Sequence, residues 1–505
     1  MDYQNTSKTV LITGASGFIG RHLVKYLCPE YRVLAFARRT QKEVDLEPHP
    51  NLEWLLVDIT DPVKFRQAFI IATSLNPPDY IFHLAAYYDF GDQVYSDVYE
   101  KTNIGATRIL LELTKEIGVK RFIFTSSLVA SKFPEPGEYV NENRPPDAEY
   151  PYARTKCQGE ELVREFSRYF PCSIVRLAAV CSDWCEYEPL YHFLKIWLSD
   201  RWDARILPGK GNMAIPYIHV CCVISLFDQI LKKTDELKPY DTFLASSDEP
   251  VSLAKMFGYA TRHYFGQTRQ PIYFPLFLAR LGVRFRNFKG KLIGKPPFEK
   301  LWMLEYTDKI FSTDSSYTRE TLDWQPKSRH QISRRLLHLI ENLKARPETW
   351  HRKNIDRLHR FSTSRPSLAL AEEMVRMHEQ FVDQIYTRIM LPENAKILKL
   401  YQAMSTDDLK WYINVVYNNL LTSVRHGDRS IMITFAHDLS QRKMQEDASL
   451  EAICQALYIT RDIITEGLHK NPNLAEMKLL VHDYITLAIQ LAIDEIKDVY
   501  ENVPL

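Results

Sequence analysis

Residues 10–20 read Val-Leu-Ile-Thr-Gly-Ala-Ser-Gly-Phe-Ile-Gly, and an apolar helical pattern begins directly after them. This order predicts a strand, a tight turn and a helix. Gly14 lets the chain reverse, Gly17 lets the backbone approach a ligand, and Gly20 lets the helix pack closely on the strand. Because a helix N-terminus attracts anions, the stretch predicts a site for a dinucleotide pyrophosphate, with a ligand-free strand–turn–helix as the alternative. The other residues expected at this site are Ser16, Phe18 and Ile19.

The bulk composition describes a globular protein of more than one domain. The chain has 505 residues, 45% of them hydrophobic and 25% charged, with a net charge of +1. This near neutrality gives no indication of nucleic-acid binding. The eight cysteines form no CxxC pair and no zinc-like spacing with histidine, so no metal site is expected. No signal peptide or membrane-spanning segment is apparent, and a cytoplasmic protein is expected.

The second predicted strand, residues 32–37, carries the signal for the type of cofactor. NAD-binding sites place an acid at the end of this strand to hold the ribose 2′-hydroxyl. Here Ala37 stands at that position and is followed by Arg38 and Arg39. A guanidinium binds phosphate strongly, so Arg38 favours NADP over NAD. The alternative is a solvated basic loop.

Further strands and helices follow in alternation. Residues 55–58 predict a third strand ending at Asp58, which could accept a hydrogen bond from adenine while Ile59 covers the ring; a plain strand-end Asp is the alternative. Residues 80–86 predict a fourth strand, and 121–127 a fifth ending in hydroxyl side chains. This rhythm predicts a doubly wound parallel sheet with ligands at the strand carboxyl ends. The cofactor is expected to lie along Leu84, Ala85 and Ala86, with Asn103 on the next helix.

Tyr152 and Lys156 open a helix at a spacing of four residues, so both side chains lie on one face. The ammonium should lower the pKa of the phenol by stabilising its ionised form, which would make Tyr152 a usable acid or base near neutrality. An ordinary surface helix is the alternative reading of this pair taken by itself.

Together these motifs resemble the extended short-chain dehydrogenase/reductase family, which includes nucleotide-sugar epimerases, dehydratases and dihydroflavonol-type reductases. The resemblance covers about residues 8–345. It rests on the glycine turn, Asp58, residues 83–86, Asn103, residues 125–127 and the Tyr152/Lys156 pair, and later on Arg176, residues 207–220, 314–319 and 322–326. It implies a Rossmann sheet with a small α/β substrate lobe, mainly within residues 180–320.

The resemblance also implies roles for individual residues. Tyr152 would be the general acid/base, Lys156 would bind the nicotinamide ribose and tune the tyrosine, and Ser127 would bind the substrate oxygen. Family dehydratases carry an Asp-Glu pair directly after the catalytic Ser or Thr; Leu128 and Val129 stand there in this chain. A dehydratase would therefore lack its acid and base.

The substrate is expected to be a small molecule of apolar or aromatic character. Aromatic residues follow the fourth strand at Tyr87, Tyr88 and Phe90, and recur at Trp184, Tyr187, Tyr191, Trp197 and Trp202. Aromatic side chains line many apolar pockets, although core packing explains such residues equally well. A hydride-transferring oxidoreductase is the first hypothesis, a nucleotide-sugar epimerase the second, and a non-catalytic NADP(H)-binding redox sensor the third. Residues 275–283 predict a core or pocket-lid helix, with a peripheral membrane contact as the alternative.

The last third of the chain shows helical patterns only. Residues 346–366 are polar and basic and predict a linker, and residues 367–505 predict a separate all-helical bundle of five or six helices. Residues 435–442 and 449–457 give this tail a weak similarity to the helical sensor domains of stressosome-type regulators. A regulatory or interaction role is expected for it, and both a homodimer and a protein partner of the tail are left open.

Overall fold

The computed structural model describes residues 8–88, 97–293, 298–359, 366–426, 428–445, 448–471, 474 and 481–501. Asp89 and Phe90 of the predicted aromatic loop lie outside these residues. The chain forms two compact units, Met1–Phe361 and Ser362–Leu505. Within the described residues, none of the helices combines the length and the apolarity needed to cross a bilayer.

The first unit contains twelve described strands. They are β1 Thr9–Thr13, β2 Arg32–Ala37, β3 Leu52–Leu56, β4 Tyr80–His83, β5 Arg121–Ser127, β6 Cys172–Leu177, β7 Ala179–Cys181, β8 Ile206–Pro208, β9 Ala214–His219, β10 Tyr240–Ala245, β11 Pro250–Ser252 and β12 Ile272–Phe274. Its helices are α1 Phe18–Leu27, α2 Pro62–Thr73, α3 Asp97–Tyr99, α4 Ala106–Ile117, α5 Pro151–Phe166, α6 Glu188–Trp197, α7 Val220–Lys232, α8 Leu253–Phe265, α9 Leu276–Ile293, α10 Ser316–Leu322, α11 Ile332–Ala345 and α12 Pro347–His359. A π-helical segment, Glu100–Gly105, joins α3 to α4.

Seven parallel strands form the main sheet in the order β10-β6-β5-β4-β1-β2-β3. The chain begins in the middle, moves outward through β2 and β3, and returns to the other side of β1 with β4. This reversal opens a crevice at the carboxyl ends of β1 and β4, where doubly wound sheets bind ligands. The predicted fold class is confirmed.

Both faces of the sheet are buried, which explains the nearly continuous apolar runs in its strands. Along β1 all five residues are buried. Val10 and Ile12 pack into the core on one face, while Leu11 packs into the core on the other. Successive residues of a strand point to opposite faces, so each needs an apolar side chain here.

The strand ends differ from the sequence prediction at two places. β3 ends at Leu56, so Asp58 lies in the following loop, and β4 ends at His83, which leaves Leu84–Ala86 as loop backbone. The predicted substrate lobe is built from β7, β8, β9, β11 and β12 in two small sheets, together with α6, α8 and α9. It is interrupted in sequence, because β10 returns to the main sheet.

The predicted linker at 346–366 is wrong over most of its length. Pro347–His359 forms helix α12 within the first unit. Its Trp350 is fully buried, with its ring centroid 5.1 Å from that of Tyr191. Although the segment is mostly basic, it contains one large apolar side chain, Trp350. The burial of this side chain holds the helix against the first unit.

The second unit consists of helices throughout its described residues. They are α13 Pro366–Arg376, α14 His378–Ile389, α15 Lys399–Gln402, α16 Thr406–His426, α17 Ser430–Gln445, α18 Leu450–Lys470 and α19 Leu487–Glu501, the last preceded by a π-helical segment at His482–Thr486. Leu420, Ile464 and Ile489 are among the fully buried residues of its core. The region around Ser367–Met390 contains two helices separated at Met377, which the apolar pattern alone does not separate.

Candidate active site

The glycine turn lies at the crevice and is closed by a hydrogen bond from the Gly17 N–H to the Gly14 carbonyl oxygen, 2.8 Å. Gly14 has φ +72°, and a Cβ there would lie 2.8 Å from the backbone nitrogen of Ala85. A Cβ on Gly20 would overlap the Gly14 carbonyl oxygen. Both positions therefore require glycine, because the turn packs directly on the loop after β4 and α1 packs directly on the turn.

The helix that follows the turn presents its N-terminus at the same place. α1 begins at Phe18, and Gly17 supplies no side-chain cap. The backbone N–H groups of a first helical turn have no intrahelical partner and carry partial positive charge. A turn without bulky side chains beside such a helix end fits a pyrophosphate, so the residues present suit a dinucleotide.

The two arginines after β2 occupy different positions. The Arg39 guanidinium donates to the backbone carbonyl of Ser16, and the indole of Trp54 donates to the Arg39 carbonyl oxygen at 2.8 Å. Arg38 is exposed, and within the described ranges it makes no hydrogen bond or ion pair. Arg39 thus supports the glycine turn, whereas Arg38 remains available to an anionic ligand.

Asp58 lies at the surface, whereas its neighbour Ile59 lies in the core. The Asp58 Oδ1 accepts from the Thr60 N–H at 2.9 Å and from the Thr60 hydroxyl at 2.8 Å, while the residue stays exposed. Ile59 is buried in the core beneath the sheet. Asp58 keeps a second carboxylate oxygen, which leaves the predicted contact with adenine feasible.

Asn103 is committed to the protein itself. Its amide oxygen accepts from the Tyr87 N–H at 2.7 Å, and its amide nitrogen donates to the Tyr87 carbonyl and to the Thr155 hydroxyl, both at 2.9 Å. Both amide hydrogens are therefore used, and the side chain is 4% exposed. These contacts indicate that Asn103 fixes the loop after β4 to α5, while its expected contact with the cofactor stays a prediction.

A buried hydrogen-bond network extends from Asn103 to strands β4 and β1. It was not predicted from the sequence. The imidazole of His83 contacts the Thr13 hydroxyl at 2.7 Å and the Thr107 hydroxyl at 2.8 Å. The Thr107 hydroxyl donates to the Asn103 carbonyl oxygen at 2.7 Å. Burial lowers the pKa of His83 to about 3, so the ring is neutral at physiological pH. The sequence did contain one indication of this network, because His83 is a polar residue at the end of the otherwise apolar strand β4.

Tyr152 lies in the first turn of α5, and Lys156 lies one turn later on the same face. The Lys156 ammonium donates to the Thr125 carbonyl oxygen at 2.7 Å and lies 5.8 Å from the centre of the Tyr152 ring. Burial lowers the pKa of Lys156 to about 8, against an opposing effect of the Glu160 carboxylate. Near neutrality Lys156 is therefore mainly cationic and held beneath the phenol ring.

Ser127 ends β5 on the other side of the same opening. Its hydroxyl contacts the Leu177 carbonyl at 3.5 Å and the Val129 N–H at 3.4 Å, and both contacts are long. Ser127 and Tyr152 both line one cavity of about 1170 Å³. The structure thus brings the two hydroxyl groups to the wall of the same space, with Lys156 behind Tyr152.

The helix α5 continues this face to Glu160. The Arg176 guanidinium binds the Glu160 carboxylate through two contacts, at 3.0 and 2.7 Å, and the Ser126 hydroxyl donates to the same carboxylate at 2.5 Å. Arg176 also donates to the Arg144 carbonyl oxygen at 2.6 Å. The two charged side chains are only 3% and 4% exposed. This ion pair holds α5 against β5 and β6, directly behind the site.

Among the aromatic residues expected to contact the substrate, the three foremost candidates, Tyr87, Tyr88 and Trp184, lie in different surroundings. Tyr88 lines the cavity, and its ring centroid lies 4.2 Å from that of Tyr152. Tyr87 packs its ring on Tyr99 instead, at 4.9 Å. Trp184 lies beneath the Lys353 ammonium and outside the lining of the described cavity, so the lining does not support its expected contact with the substrate, which stays a prediction.

The remaining lining is largely apolar and aromatic. Of the aromatic residues considered from the sequence, Tyr187, Trp197 and Trp202 lie on the wall, whereas Tyr191 packs on Trp350. Two of the cations on the wall are neutralised: Lys132 pairs with Glu149 at 2.5 Å and Arg286 with Glu299 at 3.2 Å. Among the described residues, no three His, Cys, Asp or Glu side chains converge as a metal site would require.

Known proteins give the site a family context. Residues 10–245 match the NAD dependent epimerase/dehydratase family. The chain is 31% identical over 171 residues to UDP-glucose 4-epimerase 4 of Oryza sativa subsp. japonica, covering 32% of this chain and 45% of that protein. It is 37% identical over 124 residues to 3 beta-hydroxysteroid dehydrogenase/Delta 5-->4-isomerase of Mycobacterium tuberculosis, covering 23% and 31%. The chain therefore spans less than half the length of either relative.

A solved structure supports the fold. A variant of UDP-glucuronic acid 4-epimerase from Bacillus cereus, in complex with UDP-4-deoxy-4-fluoro-glucuronic acid and NAD, superposes with a TM-score of 0.52 at 19% identity. The match covers 67% of this chain and 99% of that one. At this level of identity the likeness establishes the fold of the first unit.

Proposed function

Because residues 10–245 belong to the NAD dependent epimerase/dehydratase family, we propose that the protein is an NAD(P)-dependent oxidoreductase acting on a carbonyl or hydroxyl carbon of an apolar small molecule. The observation that carries the proposal is the placement of Ser127 and Tyr152 on one cavity wall, with the buried Lys156 ammonium 5.8 Å from the Tyr152 ring. Tyrosine is an effective acid or base only where a neighbouring charge stabilises its ionised form, and Lys156 supplies that charge.

The chain's own residues account for binding, orientation and proton movement. The dinucleotide, when bound, supplies or accepts the hydride. Gly14, Gly17 and the N-terminus of α1 would hold its pyrophosphate, and the Lys156 ammonium would donate toward the nicotinamide ribose. The Ser127 hydroxyl donates to the substrate oxygen and fixes its position.

Tyr152 moves the proton that balances the hydride. In the direction of reduction, the carbonyl carbon gains the hydride and the Tyr152 phenol gives its proton to the carbonyl oxygen. The phenolate left behind is stabilised by Lys156 and is reprotonated from solvent. In the direction of oxidation, the same phenolate accepts the proton of the substrate hydroxyl.

The character of the cavity supports an apolar substrate. Its wall combines Tyr88, Tyr187, Phe193 and Trp197 with aliphatic side chains, and Lys132 and Arg286 are already paired with carboxylates. A nucleotide diphosphate would need unpaired cations near its phosphates, and among the described residues of this wall only Lys300 and Lys309 are cations without an ion pair. The similarity to a 3 beta-hydroxysteroid dehydrogenase/Delta 5-->4-isomerase points in the same direction.

A nucleotide-sugar 4-epimerase is the second candidate. The similarity to UDP-glucose 4-epimerase 4 favours it, because an epimerase oxidises and reduces the same carbon with the same tyrosine and serine. Such an enzyme returns its cofactor to the starting state and consumes none.

A single assay separates these candidates. The intact chain is mixed with NADPH and a panel of hydrophobic ketones, and in parallel with NAD and UDP-glucose or UDP-galactose. We expect net oxidation of NADPH by at least one ketone and no sugar interconversion. Interconversion without net cofactor consumption would establish the epimerase. Binding of NADPH without turnover on either panel would contradict both enzymes and favour a redox sensor.

We further propose that NADP is preferred, with Arg38 as the residue that selects it. Replacing Arg38 with alanine should weaken NADPH binding about 10- to 100-fold, the effect of losing a charge-assisted contact to phosphate, and should leave NADH binding unchanged. Fluorescence titration of both reduced cofactors measures this.

Arg39→Ala provides the matched control for the cofactor prediction. Since Arg39 holds the Ser16 carbonyl of the glycine turn, its loss should weaken NADPH and NADH binding by similar factors. An Arg38→Ala protein with an unchanged NADPH/NADH ratio would show that Arg38 does not bind the 2′-phosphate.

A further inference from the structure

The outer side of helix α9 exposes an apolar stripe. Phe277, Leu281 and Phe285 follow one another at intervals of four residues, so they lie along one side of the helix. They are 65%, 58% and 68% exposed, respectively. A continuous row of large apolar side chains is unusual on the surface of a soluble protein. Such patches typically mark a site that binds a protein, a membrane or a ligand.

A second stripe of the helix is cationic. Arg280 and Arg284 are exposed and lie beside the apolar stripe, one turn apart. The whole of Leu276–Ile293 contains no acidic residue. The carboxylates of Asp203 and Glu299 face Arg286 on another side of the helix, at 3.5 and 3.2 Å. The exposed face is therefore apolar and positively charged, and within the part of the chain that the structure describes neither Arg280 nor Arg284 forms an ion pair.

Another side of α9, which adjoins the apolar stripe at Leu278, belongs to the cavity. Leu278, Gly282 and Val283 line it, and Trp202, which is 84% exposed, lies on the same wall. A residue that both lines a cavity and remains exposed stands at its mouth. The apolar stripe of α9 thus continues into the entrance of the candidate active site.

We propose that this face of α9, together with Trp202, binds the surface of anionic lipid membranes. An apolar stripe bordered by arginines is the pattern of a helix that lies in the plane of a bilayer interface: the apolar side chains enter the acyl region and the guanidiniums bind lipid phosphates. Tryptophan is typical of that interface. A protein partner would need acidic groups to match the arginines, whereas a bilayer supplies both chemistries at once.

The cavity opens beside α9, so a bilayer bound to α9 would affect how the substrate enters. A bilayer against α9 would place the entrance of the cavity at the lipid surface, so an apolar substrate could enter without crossing water. This consequence rests on the proposed function; the lipid contact itself does not, and it can be tested without any substrate.

The test is flotation of the intact chain with vesicles of phosphatidylcholine alone and of equal parts phosphatidylcholine and phosphatidylglycerol. We expect binding to the anionic vesicles that weakens with added salt, and much weaker binding to the neutral ones. Phe277→Ser with Phe285→Ser should lower the partition coefficient at least tenfold. Arg280→Gln with Arg284→Gln should reduce binding to the anionic vesicles only.

The matched control is Ile70→Ser with Ile71→Ser on α2, where two apolar side chains are 56% and 72% exposed. It should bind anionic vesicles as the unaltered chain does. The proposal is overturned if the intact chain does not float with anionic vesicles at low salt, or if the α2 control loses as much binding as the α9 variant. It is equally overturned if the α9 variant only converts a dimer to a monomer in sedimentation, since the face would then join two copies.

Discussion

Replacing Tyr152 with phenylalanine should lower the turnover of NADPH-dependent reduction by about 10²- to 10⁴-fold, the usual contribution of a positioned acid or base. The substitution removes the phenolic oxygen alone and keeps the ring that packs on Tyr88 at 4.2 Å. The glycine turn and Lys156 are untouched, so the affinity for NADPH should stay within about twofold. Steady-state rates and fluorescence titration of the same preparation measure both quantities.

Tyr150→Phe is the control for this prediction. Tyr150 lies two residues before Tyr152, lines the same cavity and stacks on Trp302, but it lies outside the helical face shared with Lys156. Burial already raises the pKa of Tyr150 well above its usual range, which makes it a poor proton donor. Its variant should lose less than about tenfold in turnover. A Tyr152→Phe protein that keeps more than a tenth of the activity would assign the proton transfer to another group.

The buried pair of Arg176 and Glu160 should have the largest effect on stability. Arg176→Met or Glu160→Leu, made singly, should each lower the free energy of unfolding by about 3–5 kcal/mol, because each leaves an uncompensated buried charge. The double variant should lie within about 2 kcal/mol of the unaltered chain: both charges are gone, and the Ser126 hydroxyl and the Arg144 carbonyl each lose a bond of about 1 kcal/mol.

Urea unfolding of the intact chain, followed by tryptophan fluorescence, measures this cycle. Seven of the eight tryptophans lie in Met1–Phe361 and only Trp411 lies beyond it, so the signal reports chiefly on the first unit. If the double variant is destabilised by the sum of the two single losses, the two side chains are not coupled, and the ion pair does not hold α5 in place.

The sequence anticipated features whose cause is local. The turn at Gly14–Gly20 follows from the left-handed backbone of Gly14 and from the close approach of Gly20 to the Gly14 carbonyl oxygen, and these residues lie within a few positions of one another. The helical face shared by Tyr152 and Lys156 follows from the period of the helix alone. The doubly wound parallel sheet follows from the alternation of buried strands and amphipathic helices, although the sequence indicated only five of its seven strands.

The sequence was a poorer guide to which partners an individual side chain contacts, because this depends on where the folded chain directs that side chain. Asn103 lies on the expected helix, but its amide is used by Tyr87 and Thr155, 16 and 52 residues away. Trp184 is aromatic as a pocket residue should be, yet its carbonyl binds Asn354, 170 residues away, and its ring lies outside the cavity lining. Residue type alone cannot distinguish such residues from true pocket residues, because the same amide or aromatic side chain can serve in either place.

The helix from Leu276 to Ile293 separates what the sequence determines from what the tertiary structure decides. Its sequence by itself determines an amphipathic, cationic helix, since apolar and basic residues recur with the helical period. Whether that helix enters a core, covers a pocket or faces solvent depends on what the lobe packs against it. The tertiary structure places one side along the cavity and leaves Phe277, Leu281 and Phe285 exposed. Burial is a property of the assembled fold, so the chain alone could specify the pattern of this helix but not which of its sides would remain at the surface.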